Sequence, residues 1–181
     1  MSLEYAIEIA TSNIRYGPGT TRELGPELAD RNIFEVMVLT DPHLVGSAPV
    51  NTALTSLEEH KIRYKLYKDV RVEPTDRSFL DAITVAQKTP PEAFVAVGGG
   101  STIDMAKLSW LLYENPDFQL GDVDGSIIDL KLRQKASFIA VPTTFGSGSE
   151  VSSAAAFTKE NDCGKSILVS HDFIPDQVML D

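Results

Sequence analysis

Residues 93–107 read A-F-V-A-V-G-G-G-S-T-I-D-M-A-K, and no other stretch leaves the backbone so few choices. Phe94 to Val97 is a short apolar run of the length expected for a buried strand. Gly98, Gly99 and Gly100 follow at once, allowing a sharp turn and the close approach of another group to the backbone. Ser101 is a natural N-cap, and Asp104 forms a capping-box-like pair with it. Strand, glycine turn and capped helix aim backbone N–H groups and a positive helix end at one point, which makes an anion site. Only Gly98 and Gly100 fit the G-x-G-x-x-G fingerprint, because its third glycine position is Ile103. The plainer alternative is a tight turn and nothing more.

The bulk chemistry limits what that anion can be. A chain of 181 residues with 43% hydrophobic and 23% charged content is an ordinary globular composition, sized for one domain over residues 1–181. A formal charge of −10 argues against nucleic acid or an anionic membrane as partner. The anion must therefore be held by local backbone geometry. The single cysteine, Cys163, excludes an internal disulfide and suits a reducing compartment, the cytoplasm or, for a eukaryotic source, the mitochondrion. In N-D-C-G it reads as an exposed turn residue. No run reaches the ~18 apolar residues of a membrane helix, and no charged-then-apolar leader opens the chain.

Along the chain, Tyr5 to Ala10 and Ile14 to Tyr16 read as short strands, and Gly17-Pro18-Gly19 leads into a helix near Thr20 to Arg31. Gly25-Pro26 should split or kink that helix. Phe34 to Thr40 reads as a buried strand, and Ser47-Ala48-Pro49 opens a helix with Val50, Ala53, Leu54 and Leu57 on one face. Ile62 to Tyr67 alternates Ile62, Tyr64 and Leu66 against Arg63, Lys65 and Tyr67, as a half-exposed strand near a sheet edge should. Thr75 or Asp76 then caps a helix carrying Phe79, Ile83 and Ala86. After the glycine turn, Ile103, Ala106, Trp110 and Tyr113 share a helix face that reads as core. Asn115 to Lys135 is loop-rich with room for one short helix, and Ser137 to Val141 is another buried strand. Ala154 to Thr158 and Ser166 to Val169 make a hairpin across the turn Lys159 to Gly164, and Gln177 to Leu180 is a last short strand. Strands alternating with helices predict an α/β fold, a Rossmann-like parallel sheet with helices on both faces plus a small β-hairpin.

In such a sheet, ligands sit beyond the carboxyl ends of the strands. Thr40-Asp41, Gly98 to Ser101 and Thr143 to Ser149 each follow a strand and should share one edge. Asp41 could accept both hydroxyls of an adenosine ribose; it could equally be an Asp-Pro turn starter. Thr143, Thr144, Ser147 and Ser149 supply hydroxyls in a loop that could close over phosphates or a nicotinamide ring, or be plain surface. Lys165 could bond a ribose or be one solvated lysine among many. His43, His60 and His171 lie far apart, with no metal-binding spacing, no C-x-x-C and no G-x-S-x-G. The residues by themselves support nucleotide binding and supply no catalytic group.

The pair V-G-G-G-S-T-I-D-M-A-K and A-V-P-T-T-F-G-S-G-S-E resembles the iron-containing (group III) alcohol dehydrogenases, relatives of dehydroquinate synthase and glycerol dehydrogenase. The likeness extends from N-I-R-Y-G-P-G to P-D-Q-V-M-L-D, and V-R-V-E-P-T-D looks most like the hydroxyacid-oxoacid transhydrogenase branch. The resemblance implies a dehydroquinate synthase-like N-terminal NAD(P)-binding domain, with Gly99, Gly100 and Ser101 on the pyrophosphate. It implies Thr143 and Thr144 near phosphate and ribose, Lys165 near the nicotinamide ribose, and Asp41 favouring NAD over NADP. Gly98, Asp104 and Ser147, from the same two motifs, complete the candidate cofactor set; Asp104 is the weakest member, since a carboxylate repels phosphate. In that family a divalent metal, iron or zinc, is held by one aspartate and three histidines in a helical domain beyond the segment matched here. Asp176 and Asp181 do not match those ligands. The expected activity is hydride transfer between NAD(P) and an alcohol or hydroxyacid, with this segment alone orienting the cofactor but lacking turnover, and with a homodimer as a common arrangement. The alternatives are a stand-alone nucleotide-binding or regulatory module, or glycerol dehydrogenase or maleylacetate reductase chemistry.

Overall fold

The described residues hold eight strands: β1 (Asn13–Tyr16), β2 (Glu35–Leu39), β3 (Arg63–Tyr67), β4 (Ala93–Gly98), β5 (Ser137–Pro142), β6 (Ala154–Thr158), β7 (Lys165–Val169) and β8 (Gln177–Leu180). The structure is a computed structural model and describes residues 11–70, 76–120, 130–158 and 164–181. The expected strand at 5–10, the cap at Thr75 and the hairpin turn with Cys163 lie outside the described residues. Six strands form one sheet in the order β1-β8-β5-β4-β2-β3 with every neighbouring pair parallel, and β6 and β7 form the antiparallel hairpin.

The helices are α1 (Leu24–Asp30), α2 (Ala48–Glu59), α3 (Asp76–Lys88) and α4 (Gly100–Glu114). Side chains of a strand alternate between faces, and here both faces are apolar and covered. Val36, Val38, Val95, Val97, Ile139 and Val141 join Leu24, Leu28, Val50 and Leu57 of α1 and α2 in one core. Met37, Leu39, Phe94, Ala96, Phe138 and Ala140 join α3, α4 and the hairpin in the other. This two-sided coverage explains a departure at β3. Tyr67, placed by alternation on the exposed face with Arg63 and Lys65, is buried in the α3/α4 core, whereas Lys65 is exposed.

The break expected at Gly25-Pro26 comes slightly earlier. Thr20–Glu23 is a 3-10 turn, α1 starts at Leu24, and Pro26 falls in its first turn, where a missing N–H costs no helical bond. Gly25 is also where α1 and α2 touch, since a Cβ there would lie 2.2 Å from the Ser56 carbonyl oxygen.

At the opposite edge from the site, the end of α4 organises the entry to β5. Glu114 accepts from the backbone N–H groups of Lys135 and Ala136, and Trp110 stacks on Phe138 at 5.3 Å between ring centroids. Arg133 lies over the Trp110 ring and donates to Asp176 at 2.6 Å, joining this corner to the start of β8.

Candidate functional site

Because β2, β4 and β5 are adjacent and parallel, the segments that follow them emerge on one edge of the sheet. After β2 the chain leaves toward the α1/α2 face; after β4 it leaves toward the α3/α4 face. The crevice between two such divergent connections is where a parallel sheet takes a ligand.

The glycine turn is shaped by its neighbours. A Cβ on Gly99 would lie 3.1 Å from the Thr144 Oγ1, and one on Gly100 would lie 2.8 Å from the Ser147 Cβ. On Gly98 it would strike Thr102, at 2.4 Å from its Oγ1. The loop after β5 therefore packs directly on bare backbone, and Thr143 donates its N–H to the Gly98 carbonyl at 3.0 Å. Gly146 and Gly148 have φ of +104° and +67°, backbone states that strain other residues. The loop tip, Phe145, is fully exposed.

Helix α4 starts two residues earlier than its sequence suggests. Gly99 is the N-cap, no side chain among the described residues bonds the helix head, and Ser101 sits within the first turn. The expected Ser101–Asp104 capping box does not form. Its absence opens the site: among the described residues, no side chain accepts from the N–H groups of Gly100 and Ser101 at the positive end of a 15-residue helix. Asp104 instead turns to the hairpin and accepts from the Ala156 N–H at 3.2 Å, and burial raises its pKa. Its second oxygen, Oδ1, is buried with no hydrogen-bond partner among the described residues.

Asp41 has the turn-starting character that its sequence context allows. Its Oδ1 accepts from the N–H groups of His43 at 2.8 Å and Leu44 at 3.2 Å, so it does start the turn after β2. The neighbouring Thr40 hydroxyl donates to the Val97 carbonyl at 2.8 Å, tying the Asp41 turn to the end of β4. Lys165 stands on β7 opposite Thr158. Since Ala154 meets Lys107 and Ala156 meets Asp104, β6 climbs along α4 toward its head and carries the Thr158–Lys165 pair to the level of the first turn.

The structure thus gathers Gly98, Gly99, Gly100, Ser101, Thr143, Thr144 and Ser147 at one place, with Asp41 and Lys165 flanking it and Asp104 facing away into the hairpin. A cleft of about 590 Å³ adjoins this place, lined by Pro142, Thr143, Thr144 and Glu150 together with Tyr16 and Asp181. The Thr143 hydroxyl and one Glu150 carboxylate oxygen are buried there with no hydrogen-bond partner among the described residues. Asp181 is committed elsewhere: its carboxylate accepts from the N–H groups of Gly19 at 2.5 Å and Thr21 at 3.2 Å, which holds its pKa below the ordinary value. Asp176 is likewise paired with Arg133 and the Phe138 N–H.

One residue escaped the sequence reading. Lys107 is fully buried in α4, and its ammonium donates to the carbonyls of Ser149 at 2.8 Å, Ser152 at 2.6 Å and Ala154 at 3.0 Å. Burial lowers its pKa to about 8, against the raising effect of Asp104 and Glu150. A signal was available. Eleven of the fifteen residues of α4 are buried, and a helix apolar all round must enclose any lysine it carries.

Among the described residues, no group of three or more His, Cys, Asp or Glu could hold a metal ion, and no helix is long and apolar enough to cross a membrane. A family profile described as iron-containing alcohol dehydrogenase matches residues 11–181. The mitochondrial hydroxyacid-oxoacid transhydrogenase of Xenopus laevis is 41% identical over 184 residues, covering 98% of this chain and 39% of that protein. Among solved structures, an alcohol dehydrogenase from Oenococcus oeni matches with a TM-score of 0.89 and 27% identity over 97% of this chain and 46% of that one. An iron-containing alcohol dehydrogenase from Thermococcus thioreducens matches with a TM-score of 0.86 and 25% identity over the same shares, 97% and 46%. The chain therefore spans about 39% of the transhydrogenase's length.

Proposed function

From the premise that this chain belongs to the iron-containing alcohol dehydrogenase family, we propose that residues 1–181 form the NAD-binding unit of a metal-dependent oxidoreductase. One observation carries the reading: the uncapped head of α4 and the 143–149 loop face each other across bare glycine backbone on a single sheet edge. A diphosphate fits that cradle by accepting from the Gly100 and Ser101 N–H groups, with the helix dipole favouring its charge. Thr143, Thr144 and Ser147 supply hydroxyls on the loop side, Asp41 takes the adenosine ribose, and Lys165 takes the nicotinamide ribose. Asp41 also disfavours NADP, because its carboxylate repels a 2′-phosphate.

When bound, NAD supplies a carbon centre that accepts or gives hydride. The residues here bind it, orient it and exclude water from its phosphates. The described side chains do not fit a catalytic metal, and no metal step is assigned to them. For substrate we propose a hydroxyacid and oxoacid pair, supported by the 41% identity to the transhydrogenase; alcohol and aldehyde substrates, as in the alcohol dehydrogenases, are the alternative. The mitochondrial designation of that relative supports the mitochondrial option for a eukaryotic source. Among the described residues β1 is an edge strand of the sheet, and a homodimer that pairs across it belongs to the same proposal.

The test is fluorescence titration of the purified protein with NADH. Saturable enhancement with a Kd at or below about 1 mM, a standard free energy of about −4 kcal/mol, is expected, with NADPH weaker. A flat titration to that concentration overturns the proposal.

A further inference from the structure

Lys107 uses all three of its ammonium hydrogens on backbone carbonyls of one short turn, Ser149 to Ala154. Among the described residues it makes no ion pair; the charged groups that face it are Asp104 from its own helix and Glu150 from the loop. A fully buried lysine without an ion pair is rare; its hydrogen bonds here go to backbone carbonyls, and the carboxylates of Asp104 and Glu150 add longer-range attraction. The tether reaches the cofactor cradle in one step. The Ser149 carbonyl is bound to Lys107, and the Ser149 hydroxyl lies 3.2 Å from where a Gly100 Cβ would stand. Ser147, whose hydroxyl accepts from the Ser149 N–H, lies 2.8 Å from the same point.

We infer that Lys107 is a positioning residue: its ammonium pins the turn after the 143–149 loop to α4 and so holds Ser147 against the Gly100 backbone, making cofactor affinity depend on the charge at position 107. The inference rests on the NAD-binding reading above. A neutral amine has only two hydrogens, so deprotonation releases at least one of the three carbonyls. The group is poised to do this, because burial brings its pKa to about 8. Loss of the positive charge also weakens the attraction for a diphosphate at the helix head, in the same direction.

A purely structural lysine predicts the opposite trend. With the folded pKa below the ordinary 10.5, the unfolded chain holds more protons between about pH 8 and 10.5, so this group makes global stability rise with pH in that window. Affinity and stability should therefore diverge.

The experiment follows NADH Kd, urea unfolding and the backbone ¹³C=O resonances of Ser149, Ser152 and Ala154 in the purified protein from about pH 6.5 to about pH 10. The expected result is a shared step in the three resonances and an affinity loss of about tenfold over the same step, the effect of a charge-assisted bond. Lys107→Met should bind about tenfold more weakly at neutral pH and lack the step. Lys107→Arg, where it folds, should keep the affinity and also lack the step. Resonances that do not titrate overturn the inference without any variant, as does an affinity indifferent to pH while NADH still binds. Failure of NADH to bind at any pH overturns the NAD-binding reading itself, and this inference with it.

Discussion

At Gly100 the backbone has ordinary dihedral angles, so any objection to a side chain is steric. A Cβ would lie 2.8 Å from the Ser147 Cβ and 3.2 Å from the Ser149 hydroxyl. Gly100→Val should cost about 1–3 kcal/mol by overpacking, measured by urea unfolding, and should weaken NADH binding more than the stability loss explains, because the bulk fills the proposed diphosphate seat. Gly146 presents the reverse case, with open space around it but φ of +104°. Asp41 allows its turn role and its proposed ribose role to be separated. Asparagine keeps an Oδ1 acceptor for the His43 and Leu44 N–H groups but carries no charge. Asp41→Asn should leave stability within about 0.5 kcal/mol while raising the ratio of NADPH to NADH affinity. Equal ratios in the two proteins would remove Asp41 from cofactor selection.

The element that ties these residues together is α4, which serves a different neighbour at each level. Its head is bare toward the loop, Asp104 and Lys107 grip the hairpin and the turn before it, and Glu114 at its foot receives β5. Both Glu114 oxygens are engaged by backbone N–H groups, one of them the buried donor of Ala136. Glu114→Ala strands that donor and should cost about 1–3 kcal/mol, read as a lowered urea midpoint. Trp110 stacks on Phe138 one turn away, so its fluorescence reports the same transition. The loss should leave NADH affinity near that of the parent, because Glu114 lies at the far end of the helix from the cradle. An equal loss of affinity would mean that the two ends of α4 are not independent.

At the scale of the whole fold, Asp181 closes on the first described turn. Asp181 caps Thr20–Glu23 through bonds spanning 162 and 160 positions, and Gly17 donates to Leu180 beside it. The folded pKa of Asp181 lies below its ordinary value, so its contribution to stability is present above about pH 4 and disappears as pH falls through the folded pKa. Asp181→Asn should therefore reduce the difference in urea midpoint between pH 6 and pH 3 relative to the parent; an unchanged difference would deny the cap a role in acid sensitivity. The sheet, its parallel sense, the two-sided core and the common edge for the segments after β2, β4 and β5 were all readable from the sequence. They follow from local rules: apolar runs with period two or near 3.6, and glycines where the backbone must turn. Other features lay beyond local pattern. Ser101 looks like a cap, yet Gly99 takes the place because the helix begins as soon as the chain leaves β4. Tyr67 reads as a surface residue until α3 covers the second face of the edge strand. The partners of Asp104 and Lys107 lie 42 to 52 positions away, on backbone groups with no side-chain signature. The residues by themselves determined which backbone groups would be bare; only folding decided which distant carbonyls and N–H groups would be brought to them, because a hydrogen bond needs its partner within about 3 Å and sequence separation carries no such distance.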